Sequence, residues 1–133
     1  MNIVRTGFAV VLMALGAASA SASQVGPATV RSGTPTVVLS YASYDPETCY
    51  FGALPTLRVI RPPAHGTLAL GKQQRPAGSG ACSGKTFTAS TATYRSSSGY
   101  RGRDEMVVEA ETDIYSDGTG RRSDSVLIIL DVK

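Results

Sequence analysis

The chain has 133 residues, with 13 Lys and Arg against 10 Asp and Glu, a formal net charge of +3. That length makes one domain of ordinary size, and acids interspersed with the arginines exclude the uninterrupted basic face of a nucleic-acid binder. Beyond residue 23, no run is apolar for anything near the ~20 residues a membrane-spanning helix needs.

The N-terminal end reads as a leader. Arg5, an apolar run over 8–18 and small residues over 19–23 give the cation, apolar centre and Ala-x-Ala ending of a secretory signal peptide. Cleavage is expected after Ala20 or Ala22. The apolar run is about half a membrane span, and no cysteine follows it to carry a lipid. The expected organisation is a signal peptide over 1–23 and one domain over 24–133, secreted or periplasmic. In an oxidising compartment Cys49 and Cys82, the two cysteines of the chain, are expected to pair.

Past the leader, no capped run of ten or more residues carries a helical period. Short β-branched and aliphatic segments recur instead, separated by Gly, Pro, Ser and Asp clusters. Strands are predicted over 28–31, 36–42, 56–61, 67–70, 86–88 with 91–95, 105–112 and 124–132. Alternation is clearest over 105–112, where Met106, Val108 and Ala110 share one face while Glu105, Glu109 and Glu111 share the other. The segment 126–130 is apolar on both faces, which predicts a strand central in its sheet or covered on its outer side. Seven half-buried strands without helices bury their apolar faces most economically as two packed sheets. Two connections are predicted as loops: the polar, glycine-rich 71–85, and the hairpin tip 115–122 with its Asp-Gly step.

Several motifs then follow in order: Pro62-Pro63-Ala64-His65-Gly66-Thr67-Leu68, Tyr94, Gly99-Tyr100-Arg101-Gly102-Arg103-Asp104, Ser116-Asp117-Gly118-Thr119-Gly120, and a valine-rich last strand. This order resembles the bacterial cadherin-like and immunoglobulin-like repeat domains of large adhesins, over about 56–132. The resemblance implies an all-β, immunoglobulin- or cadherin-like Greek-key sandwich, to which the expected Cys49–Cys82 disulfide is an addition outside the family pattern. It also implies a non-enzymatic role in binding or adhesion at the cell envelope, and calcium as an occasional ligand of such domains. The chain departs from the pattern at Ser96 and Ser97, near where a proline is usual, at Met106 in place of an aromatic, and in holding one copy.

Catalytic chemistry is sparse. His65, the single histidine, is flanked by Pro63 and Gly66 in a predicted turn, and no serine sits in a Gly-x-Ser-x-Gly elbow. The expectation is therefore not an enzyme; a small secreted hydrolase built on His65 is the remote alternative. Calcium takes six to eight oxygen ligands, and Asp104, Glu105, Asp113 and Asp117 are the weak candidates for a calcium-stabilised structural subunit, the nearer alternative. For recognition, Tyr44, Tyr50 and Phe51 surround Cys49. Arg101, Arg103, Arg121 and Arg122 are predicted in loops sharing one end. Exposed aromatics and arginines anchor protein partners, and aromatic faces stack on sugars, so the expected partner is an envelope protein or polysaccharide.

Overall fold

A computed structural model describes residues 23–78, 80–115 and 119–133. Seven strands form: β1 (Ser23–Val30), β2 (Thr36–Tyr41), β3 (Thr56–Arg61), β4 (Gly66–Pro76), β5 (Thr86–Ser96), β6 (Gly102–Asp113) and β7 (Arg121–Val132). A short 3-10 turn, Gly80–Cys82, lies between β4 and β5, and no α-helix occurs among the described residues. Of the expected leader, only Ser23 is described, as the first residue of β1; residues 1–22 lie outside the described residues.

The strands form two sheets, β1-β7-β6-β3 and β2-β5-β4. The sheets pack face to face as a β-sandwich, with β1 lying parallel to β7 at the edge of the first sheet. The alternation foreseen over 105–112 is what fills the space between the sheets. Met106 and Val108 of β6 meet Val126, Ile128, Leu130 and Val132 of β7, with Leu39 of β2 and Ala92 and Tyr94 of β5 closing the core. Each large side chain fully buried there contributes about 1.5–3 kcal/mol. β7 sits between β1 and β6, so its apolar second face is that of a central strand. The backbone of β1 approaches it closely: at Gly26, φ is +94° and a Cβ would lie 2.3 Å from the Ile129 carbonyl oxygen, room that only glycine leaves.

The strands run further than hydrophobicity predicts. β4 continues to Pro76 because Gly71–Pro76 pairs residue by residue with Thr86–Thr91, so the first six residues of the expected long loop are strand. The two pieces expected over 86–95 are one strand. β6 and β7 extend to Gly102 and Arg121, which places Arg103, Arg121 and Arg122 on strands rather than in loops. Ladder hydrogen bonds do not depend on an apolar side chain, so exposed polar ends of strands leave no hydrophobic signature.

Register sorts the connections between two ends. Thr56 at the start of β3 faces Glu111, and Arg121 at the start of β7 faces Asp113. Tyr41 at the end of β2 faces Ser90, and Pro76 at the end of β4 faces Thr86. Loops 42–55, 77–85 and 114–120 therefore gather at one end of the sandwich, while 31–35, 62–65 and 97–101 gather at the other.

The disulfide joins Cys49 to Cys82 across 33 positions, with Cα atoms 5.2 Å apart. It ties loop 42–55 to the turn in 77–85 and forms, with Ala77 and Phe87, a small second core. Restricting the unfolded chain over such a loop contributes roughly 3–4 kcal/mol in the chain-entropy model. Chemical denaturation with and without reductant should show that loss; coincident transitions would show that the bridge does not constrain the unfolded chain.

Candidate functional site

The end that carries loops 42–55, 77–85 and 114–120 is built from turn chemistry. Asp45 Oδ1 accepts hydrogen bonds from the N–H groups of Glu47 at 2.8 Å and Thr48 at 3.3 Å. Those bonds, Glu47 foremost, hold the Asp45 carboxyl below its ordinary value. The Cys49 N–H donates to the Asp45 carbonyl at 2.8 Å, and the Asp45 N–H donates to the Tyr50 carbonyl at 2.9 Å. Cys49 adopts φ +57°, the left-handed conformation that turns the chain back. Tyr44 then bridges Phe51 in an antiparallel pair, and their rings reach Phe87 of β5. Tyr44 stacks on Phe87 at 5.1 Å and 28°, while Phe51 lies 6.5 Å from Phe87 at 24°.

Residues 114–115, paired with 119–120, bring a second apolar pair to the same end. Ile114 N–H donates to the Gly120 carbonyl at 3.0 Å, and Tyr115 N–H to the Thr119 carbonyl at 3.3 Å. The Tyr115 ring lies over Gly120, where φ is +71° and a Cβ would be 3.2 Å from that ring. Among the described residues, seven large hydrophobic side chains are exposed, and five belong to this end: Tyr44 38%, Tyr50 57%, Phe51 39%, Ile114 55% and Tyr115 62%. The other two, Ile60 and Leu70, are on β3 and β4. Tyr41 packs against the main core instead. The sequence reading missed Phe87, Ile114 and Tyr115. Phe87 was hidden inside a threonine-rich strand, whereas an aromatic and an isoleucine directly before the Ser116-Asp117-Gly118 sequence were a readable sign of an apolar pair beside a predicted tip.

The arginines do not form one surface. Arg103 faces Asp131 and Arg121 faces Asp113, ten residues apart along β6, so they are separated by about 33 Å. Arg101 and Arg103 belong to the far end; Arg121 and Arg122 lie beside hairpin 114–120. Arg103 Nη2 is 2.6 Å from Glu105 Oε1, Arg121 Nη1 is 2.8 Å from Glu111 Oε1, and Arg122 Nε is 2.9 Å from Asp124 Oδ2. With Arg58–Glu109 and Arg61–Glu105, the Arg103 and Arg121 pairs make a charge ladder on the solvent side of the β6 sheet, while Arg122–Asp124 lies on the other face, beyond the core residues of β7. Such exposed pairs contribute at most ~1 kcal/mol each, and they occupy the guanidinium groups of Arg103, Arg121 and Arg122, which were expected to be open for binding.

The acids expected to share a cation are also apart. Asp104 and Glu105 are successive residues of a strand, so one points into the sandwich and the other out. Asp113 stands at the opposite end of β6 from Asp104, and Asp117 lies outside the described residues. Asp104 is 3% exposed and its oxygens are already occupied. Oδ1 accepts from the N–H groups of Ala64 and Glu105, each at 3.0 Å, and Oδ2 accepts from His65 N–H at 3.1 Å and Tyr94 O–H at 2.7 Å. Among the described residues, no group of three His, Cys, Asp or Glu stands together as a metal centre would require. His65 itself closes the turn before β4: its ring stacks on Tyr100 at 4.0 Å and 7°, and its carbonyl accepts from Ser97 N–H at 2.8 Å. The Tyr100 hydroxyl donates to the Arg103 carbonyl at 2.6 Å. These contacts lock the far end.

The two ends therefore differ in kind, one closed by a buried carboxylate and one presenting exposed rings around a disulfide. Comparison with family models, curated proteins and solved structures gave no match to this chain.

Proposed function

We propose that the protein is an exported, non-enzymatic binding module that uses the aromatic end of its sandwich to hold a protein or polysaccharide of the cell envelope. One observation carries this reading: five of the seven exposed large hydrophobic side chains cluster in loops at one end. Exposed apolar side chains scattered singly need no explanation, but five gathered at one end of the sandwich support an interaction surface there. Tyrosine suits such a surface because a large, rigid, amphipathic ring loses little conformational freedom on binding. The loop that carries Tyr44, Tyr50 and Phe51 is held by the disulfide, the Asp45 turn and the Phe87 stack, and Ile114 and Tyr115 by backbone bonds to Gly120 and Thr119, so little ordering cost remains for the bound state. A disulfide agrees with an oxidising location outside the cytoplasm, and no helix among the described residues is long and apolar enough to cross a membrane.

The test is retention of the oxidised protein on isolated envelope fractions and on their delipidated polysaccharide. Combined Tyr50→Ala and Tyr115→Ala should lower retention at least tenfold, since two interface tyrosines commonly contribute ~1.4 kcal/mol or more. Arg101→Ala at the far end should leave it unchanged. Loss with Arg101→Ala and none with the tyrosine pair would overturn the assignment of the binding end.

A further inference from the structure

Beside the aromatic end, the sandwich holds an arginine with no counter-charge among the described residues. Arg75 of β4 faces Phe87 across the ladder, and its Nε is the single buried side-chain nitrogen or oxygen among the described residues that lacks a hydrogen-bond partner. The side chain is half-buried, unlike the exposed arginines of the charge ladder. It lines a groove of about 480 Å³ with Val37, Val38, Leu39, Pro76 and Phe87, and no acidic residue lines that groove. Burying a guanidinium nitrogen without an acceptor is costly, and proteins repay that cost with a carboxylate or phosphate that can take the fork in a bidentate pair. Here the described residues supply none to Nε.

We propose that this groove receives a carboxylate side chain of a partner polypeptide, clamped by Arg75, while an apolar residue next to it packs on Val38, Pro76 and Phe87. The walls favour this occupant over a free inorganic anion. A lone phosphate would gain the charge but leave the apolar walls wet, whereas an acidic residue flanked by valines satisfies both. The free outer edge of β2 beside the groove adds backbone N–H and C=O groups that an extended peptide can use. The assignment does not depend on the tyrosines at the neighbouring end, although Phe87 belongs to both surfaces.

The probe is the peptide acetyl-Gly-Val-Asp-Val-Gly-amide, titrated into the 15N-labelled oxidised protein and followed by NMR. The amides of 37–40 and 86–88 and the Arg75 Nε–H should shift, and the Arg75 Nε–H should move downfield. Replacing the central Asp by Asn should weaken binding at least tenfold, and replacing it by Lys should remove it. Arg75→Met should abolish the Asp preference while melting at or above wild type, because it keeps the apolar stem and removes the unpaired charge. Arg75→Lys should retain part of the preference. Tyr50→Ala should leave this titration unchanged, which separates failure of the groove from failure of the aromatic end. Equal affinity for the Asp and Asn peptides, an unchanged titration with Arg75→Met, or binding of octanoate without binding of the peptide would overturn the proposal.

Discussion

Met106→Asp should abolish cooperative folding, whereas Val107→Asp, one residue along the same strand, should cost about 1 kcal/mol. Met106 is fully buried at the centre of β6, in the core formed by Val108, Ile128, Leu130 and Tyr94. An aspartate there loses the packing of a large apolar side chain, about 2–5 kcal/mol on the scale of large-to-small core changes. It also either buries an unpaired charge or must take up a proton to enter. Together these consume most of the 5–15 kcal/mol that holds a domain folded. Val107 is half-buried on the other face, opposite Arg61 in the ladder, so an aspartate there meets water and a cation. Thermal and denaturant melts of the two variants measure the strand's orientation directly. If Val107→Asp proved the worse of the two, the register of β6 would be shifted by one residue, since a single slip exchanges the faces.

That orientation was readable in the sequence because a half-buried strand must alternate, and 105–112 alternates with Val107 as its one apolar residue on the outer face. The bounds of β3 and the central place of β7 were readable for the same reason: apolar period and apolar density are set by burial. What hydrophobicity cannot show is pairing between polar backbones. β4 beyond Leu70 reads as Gly71-Lys72-Gln73-Gln74-Arg75, a loop composition, yet each residue has a ladder partner in β5. The arginines illustrate a second limit. Their clustering in the last third of the chain suggested a shared surface, but an antiparallel hairpin places residues near in sequence at opposite ends when a long strand lies between them. The aromatic group around Cys49 was legible because a disulfide fixes where a loop must be. Phe87 was not, since its role depends on which strand end lies beneath the loop. Arg75 was invisible as a candidate, because only packing shows that its Nε has no acceptor.

Asp104, in the sequence both an acceptor for turn N–H groups and a weak cation candidate, is a structural anchor in the fold, and its removal should be nearly as costly as the Met106 change. Asp104→Ala leaves the N–H groups of Ala64 and His65 and the Tyr94 hydroxyl without their acceptor at the junction of both sheets. An unsatisfied buried donor costs about 1–3 kcal/mol, and relaxation and water entry make the three less than additive, so the loss should be about 3–5 kcal/mol. For a domain of this size that is a fall of roughly 10–30 °C in melting temperature. Tyr94→Phe removes one of the four donors and should cost about 1–2 kcal/mol at neutral pH. It also carries a pH signature that a simple packing defect lacks. Burial first, then the hydrogen bond to Asp104 and that carboxylate's charge, push the Tyr94 hydroxyl above its ordinary value. The stability it contributes is therefore fully present below the unfolded tyrosine value near 10 and declines as pH rises above it. The advantage of wild type over Tyr94→Phe, measured by denaturant melts, should be constant from pH 7 to about 9.5 and shrink steadily beyond pH 10. An advantage that stays level to pH 11.5 would mean that the buried hydroxyl is not the group joining β5 to β6 through Asp104.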